Sequence, residues 1–192
     1  MGNKVMPNEV LYHIGISAEM LKGAEYALLP GDPGRVEALA RALGTAEPVG
    51  CHREYTSWLA DVEGTSVLVC STGMGGPSVA IGMEELARLG IELTLALQQA
   101  AESLSIPYHT GISVSSDTFW PGQERYDSYT GYVRKSLQGS LQEWQALGAL
   151  NYEMETAALF IVAQSFGLQA ASICGVVAKR TDSELVAPQD LY

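Results

Sequence analysis

The sequence predicts a single α/β domain with a central, mostly parallel or mixed β-sheet flanked by helices. Three observations carry this. Short apolar runs of strand character alternate with amphipathic helical stretches. Two strand-to-helix junctions are rich in glycine, Pro30-Gly-Asp-Pro-Gly-Arg35 and Ser71-Thr-Gly-Met-Gly-Gly-Pro77. No linker, internal repeat or low-complexity segment divides the 192 residues, and that length supports one substantial core. In folds of this class the loops at the carboxyl ends of the strands hold the ligand.

The elements follow in order. Residues 1–26 read as irregular, with His13 close to Gly15. Ala27 to Leu29 is a short apolar strand, and Val36 to Leu43 has helical periodicity that ends at Gly44. Gly31 to Arg35 is therefore a strand-to-helix turn. Its amides suit an anion at a helix N-terminus, with Arg35 adding charge; a plain tight turn with a solvated arginine fits the local string equally well. His52 to Val62, a turn at Glu63-Gly64 and Thr65 to Cys70 read as a β-hairpin. Residues 77–89 form an amphipathic helix with Pro77 in its first turn, Glu84 and Glu85 toward solvent, and Gly90 closing it. The alternating rhythm then calls for a strand, but Glu92 to Leu104 reads as another helix with almost no connection.

The second half resumes the rhythm. His109 to Ser115 is strand-like, Gly131 to Leu137 is amphipathic, and Leu141 to Leu147 is helical behind a capping box of Ser140 and Glu143. A helix is expected from Asn151 to Phe166 and a buried strand over Ala170 to Val177. Thr156 to Ala178 carries no formal charge, yet Gln164, Ser165, Gly167 and Gln169 near its middle argue against a membrane span.

Composition narrows the function. The chain is 47% hydrophobic and 17% charged, hence globular. Its net charge is -11 and it has no basic run, which excludes the usual nucleic-acid binder. Cys51, Cys70 and Cys174 are scattered and never form Cys-x-x-Cys, pointing to reduced thiols in a cytoplasmic setting without a disulfide framework or zinc site. No apolar leader follows Met1.

The stretch with the most chemistry is Ser115 to Asp127. Here Gln123 offers a paired donor and acceptor, Arg125 offers a planar fork of donors, and Phe119 and Trp120 lie alongside. That set suits a flat, polar-edged ligand such as a pyrimidine base. An ordinary polar surface loop accounts for the same string.

Five segments in order resemble the motifs of the hexameric nucleoside phosphorylase family, in its uridine-cleaving branch. They are Pro30 to Arg35, His52-Arg-Glu54, Ser71 to Ser78, Ser115 to Asp127 and Asn151-Tyr-Glu-Met-Glu155. The resemblance implies a three-layer sandwich and phosphate-dependent cleavage of uridine to uracil and ribose 1-phosphate. It casts Gly31, Arg35 and Arg53 as phosphate ligands, with Arg53 reaching in from a neighbouring subunit. His13 crosses the same interface to the ribose 5'-hydroxyl. Phe119, Gln123 and Arg125 read uracil, Arg180 pairs with the base-reading arginine, and Met154 and Glu155 form the ribose floor. Glu54, Met74 and Ser78 surround a monovalent cation such as K+ between subunits. Inorganic phosphate is a co-substrate, there is no organic cofactor, and the assembly is a dimer to hexamer with shared sites.

Residue chemistry agrees with that assignment. A guanidinium near a uracil carbonyl stabilises the departing base anion. A carboxylate such as Glu155 accepts from both ribose hydroxyls. Asp32 is a candidate for ordering its own turn, and Glu153 for capping. The sequence departs from the family at Gly90-Ile91-Glu92, where an Arg-x-Gly-Thr-Thr-Gly phosphate loop and a core strand are missing, and a closing helix is missing after Tyr192. Two alternatives stay open beside uridine cleavage. One is an inactive relative with weak nucleobase binding. The other is a purine-cleaving relative, against which Lys179-Arg180 counts because purine chemistry places an acid in that region.

Overall fold

The computed structural model describes residues 5–91, 101–102 and 104–183. Of the expected elements, nearly all of the second helix after Gly90 lies outside these residues. The chain is α/β, as expected, and its contacts divide into two compact units. The first comprises residues 1–95 and 158–171, the second residues 96–157 and 172–192.

The first unit holds a four-stranded mixed sheet in the order β1-β4-β3-β2. Strand β1 (Tyr26–Leu28) runs parallel to β4 (Thr65–Cys70), while β3 (Tyr55–Val62) is antiparallel to both β4 and β2 (Thr45–His52). The β3–β4 hairpin turns on Glu63 (φ +53°) and Gly64 (φ +86°), two left-handed residues in succession, as a turn matched to strand twist requires. Period-two alternation decides what each face buries. Tyr55, Leu59, Leu68 and Cys70 face a core that includes Val79, Met83, Leu86 and Leu89 of α2 (Gly76–Leu89) and Ala163 of α4 (Thr156–Phe166). Ala60 and Val69 face Val36 and Ala40 of α1 (Val36–Leu43) on the other side. This unit is thus layered helix, sheet, helix. Gly44 ends α1 where a side chain has no room, since a Cβ there would stand 2.0 Å from the Asp61 carbonyl oxygen.

The second unit pairs β5 (Ile112–Ser115) in parallel with β6 (Ala149–Glu153) and packs α3 (Ser140–Ala146) against β6. Among the described residues, its buried side chains apart from Val133 are polar, namely Gln123, Glu124, Arg125 and Thr156.

Several local expectations are corrected. Strand β2 was not foreseen, because Pro48 and Gly50 dilute its pattern; it is an edge strand with a register shift at that point, where proline is tolerated. Asn151 to Glu153 belong to β6, and the helix begins only at Thr156. Ala170 to Val177 forms no strand and is largely exposed, with Ile173 at 73% and Val176 at 79%; no strand pairs with it among the described residues. Gly131 to Leu137 contains only a 3-10 turn at Lys135–Leu137. Glu84 is exposed, but Glu85 is buried. Position 85 falls on the stripe of Gly82, Leu86 and Leu89, three and four residues apart, so α2 turns it inward.

Candidate active site

The residues singled out from sequence fall into two sets, one in each unit.

In the first unit, the two glycine-rich loops leave the carboxyl ends of the parallel neighbours β1 and β4. They are joined by a hydrogen bond from Thr72 N to Pro30 O at 2.9 Å. Gly31 lies against the second loop, where a Cβ would come 3.1 Å from Gly73 O. Asp32 orders its turn as expected, accepting from Gly34 N at 2.8 Å and capping the 3-10 turn Pro33–Arg35. Arg35 is exposed, with Asp32 3.9 Å from its Nε. Its fork therefore remains available to an anion in solution.

Glu54 and Ser78 come together behind the second loop. Ser78 Oγ donates to Glu54 Oε1 at 3.1 Å and also contacts Thr72 O. Gly73 (φ +71°) makes this approach feasible. A Cβ there would sit 2.8 Å from Glu54 Cγ and 3.1 Å from Ser78 Oγ. Hydrogen bonding from the Glu54 backbone N–H, then from Ser78, holds the Glu54 carboxyl below the usual range. Met74 beside them is 87% exposed. The oxygens of Glu54, Ser78 and Thr72 are hard donors, of the kind an alkali cation takes. Among the described residues no group of three His, Cys, Asp or Glu converges.

His13 and Arg53 meet through Tyr12. Arg53, in the left-handed turn between β2 and β3 (φ +55°), donates to Tyr12 OH at 3.2 Å and lies 5.3 Å over that ring. Tyr12 packs edge-on against His13 at 4.9 Å. Glu85 secures the loop below. It takes the His13 ring Nδ1 at 2.7 Å and accepts from the N–H groups of His13 and Ile14. Burial would raise the Glu85 carboxyl, but bonds from Ile14 and His13 outweigh it and the net shift is downward. With Nδ1 held, the imidazole presents Nε2 as its second polar atom.

In the second unit, β5 and β6 end side by side. Glu153 closes the junction. Its carboxylate takes Ser115 Oγ and the N–H groups of Glu155 (2.7 Å) and Thr156, capping α4. Ser116 N donates to Glu153 O at 2.9 Å. So Ser116, which opens the loop running to Asp127, and Met154-Glu155 start from one point. Glu155 Oε2 accepts from Met154 N at 3.2 Å. The capping role expected of Glu153 holds, and its carboxyl, pushed up by burial, is brought below the usual range by Ser115 and Thr156.

Arg125 is 2% exposed. Asp127 grips it through Nε at 3.2 Å and Nη2 at 3.0 Å, and the guanidinium lies 4.6 Å over the Phe119 ring. The bond from Arg125 in turn depresses the Asp127 carboxyl. Arg180 donates to the carbonyls of Gln123 (2.7 Å) and Glu124 (3.2 Å), so it holds that loop by its backbone. Gln123 is 5% exposed. Trp120 is 47% exposed and packs edge-on against Phe119.

Sequence reasoning overlooked Glu85, Glu124, Asp127 and Tyr12. The helical stripe pointed to Glu85, and an acid two residues from Arg125 pointed to Asp127. The capping box expected at Ser140 is replaced. Gly139 precedes α3 without a side-chain cap, and Glu124 accepts from Gly139 N and Leu141 N.

A sequence profile of the Phosphorylase superfamily matches residues 90–189, more than half of the chain. The chain belongs to the phosphorylase superfamily. Among curated members of the superfamily, uridine phosphorylase of Salmonella typhimurium is 38% identical over 228 residues, spanning 94% of this chain and 90% of that protein. Uridine phosphorylase of Thermococcus kodakarensis is 32% identical over 209 residues, 84% of this chain and 75% of that one. Guanosine phosphorylase of Halorubrum lacusprofundi is 32% identical over 197 residues, covering 85% and 80%. An alignment of 228 positions against 192 residues leaves at least 36 positions filled by the Salmonella superfamily member alone. Among the described residues no helix is long and apolar enough to cross a membrane.

Proposed function

We propose that this chain is a uridine phosphorylase, a pentosyltransferase that cleaves uridine with inorganic phosphate to uracil and ribose 1-phosphate. The observation that carries the reading is the pairing of Gln123 with a buried guanidinium already fixed by Asp127 and Phe119. An amide presents one donor and one acceptor, the pattern that a uracil edge complements and a cytosine edge does not. The relatives named uridine phosphorylase support the same choice.

In this mechanism Gln123 holds the base. Arg125, directly or through water, stabilises negative charge on uracil as the glycosidic bond breaks. Phe119 and Arg180 serve this base site, Phe119 by packing and Arg180 by holding the loop backbone. Met154 supports the ribose and Glu155 accepts from its hydroxyls. Gly31, Arg35 and a neighbour's Arg53 hold the phosphate that attacks the anomeric carbon from the opposite face. A neighbour's His13 binds the 5'-hydroxyl. No enzyme-bound covalent intermediate is required.

The site then needs at least a dimer, since His13 and Arg53 serve a neighbouring copy. Their joint packing on the exposed Tyr12 supports a shared interface role. Glu54 and Ser78 would hold a monovalent cation there as a structural charge. Residues 1–192 then form one cytoplasmic domain that lacks a segment near 91–92.

The test is phosphate-dependent uracil release by the purified, mass-verified chain, with guanosine and inosine alongside. Uracil release is expected. Purine release without uracil would overturn the assignment in favour of the guanosine-cleaving branch. No release and no uracil binding would mark an inactive relative.

A further inference from the structure

Gln123, Glu124 and Arg125 are three consecutive buried polar residues, at 5%, 5% and 2% exposure. The proposed reaction uses the outer two and leaves the middle one without a role. Glu124 lies in the left-handed region (φ +51°). That is unusual for a long side chain and persists only where surroundings impose it. Here they do so from two sides. Arg180 holds the carbonyls of Gln123 and Glu124. The Glu124 carboxylate accepts from Gly139 N, from Leu141 N at 2.7 Å, from Ser140 Oγ at 3.3 Å and from Tyr126 OH at 3.1 Å. Gly139, Ser140 and Leu141 open α3, which packs on β6, and β6 leads into Met154 and Glu155. The carboxylate thus ties the base-reading loop to the strand that delivers the ribose residues. Burial pushes its acid up, yet the bonds from Leu141 and Gly139 prevail and keep it ionised.

We propose that Glu124 is a positioning residue for phosphorolysis. Its carboxylate presets the Gln123 amide and the Arg125 guanidinium against the base without touching substrate. The inference rests on the uridine reading. Donors fixed before the reaction need no reorganisation as charge develops, so loosening them slows base departure more than it weakens folding.

The experiment compares the full chain with E124A and E124Q on uridine and 5-fluorouridine. Fluorine makes the departing base more acidic and less dependent on Arg125. A second readout is uracil binding through tryptophan fluorescence, for which Trp120 is the local reporter. For E124A, kcat/KM on uridine is expected to fall ~100-fold, with a loss on 5-fluorouridine at least ~5-fold smaller. Uracil affinity falls with it. E124Q, which keeps one acceptor oxygen and the volume, is expected to lie between, and it serves if E124A does not fold. Equal losses on both substrates overturn the proposal, because a smaller folded fraction lowers both alike. An active parent chain whose variants are unchanged overturns it too. A parent chain that neither cleaves uridine nor binds uracil overturns the uridine reading and, with it, this one.

Discussion

Arg125→Ala removes the guanidinium proposed to stabilise the departing base. Two losses follow and they are separable. For stability, the 2% exposed side chain leaves a void beside Phe119 and ends its contact with that ring at 4.6 Å, an interaction of about 1–2 kcal/mol when desolvated. Asp127 is 44% exposed, so water replaces its lost partner at little cost. The fold therefore survives with a lowered Tm. For chemistry, one preorganised donor to a developing anion is worth about 3 kcal/mol, which at about 1.4 kcal/mol per decade predicts ~150-fold in kcat. Arg125→Lys keeps the charge but loses the two-pronged grip on Asp127, and it should recover only part of the rate. The assay is initial-rate uracil release at saturating phosphate, with circular dichroism to fix the folded fraction. A rate within about threefold of the parent, at equal folded fraction, would refute the assignment of Arg125.

Three further outcomes follow from the geometry. Gly73→Ala sets a methyl 2.8 Å from Glu54 Cγ in a left-handed residue, and should cost about 1–3 kcal/mol, read as a lower denaturant midpoint. Glu153→Ala uncaps α4 and frees Ser115; a loss of about 1–2 kcal/mol is expected by the same measurement, with Glu153→Asp between. Glu85, Glu124 and Glu153 all have carboxyls depressed on folding. Their contribution is therefore complete above the unfolded value of about 4.3 and is lost as pH falls through the lower folded values. Thermal melts should hold steady from neutral pH down to about pH 5 and decline below it, and Glu85→Gln should flatten part of that decline. A decline of unchanged steepness in that variant would count against the Glu85 bonds.

What the sequence revealed depended on how local each signal was. Helices α1 and α2 and the hairpin of β3 and β4 carry their own periodicity, caps and turn residues, so they could be read directly. The two glycine loops were legible because proline and glycine punctuate the chain there. Ala170 to Val177 was apolar enough to suggest a strand, but a strand exists only with a partner, and composition says nothing of that. The chemistry of Gln123 and Arg125 was visible from residue type. Its support was less so, because Glu124 reaches α3, Arg180 reaches back over more than fifty residues, and Glu85 reaches a loop that precedes it by seventy.

The two units are woven from one thread. The chain leaves the first unit after residue 95, re-enters it at 158 partway along α4, and departs again after 171. No single cut can therefore release either unit as a contiguous piece. A stop codon anywhere between 96 and 157 would strip Ala163 from the core of the first unit as well as truncating the second. Recombination that respects these units would need three crossovers, so the two units are inherited together.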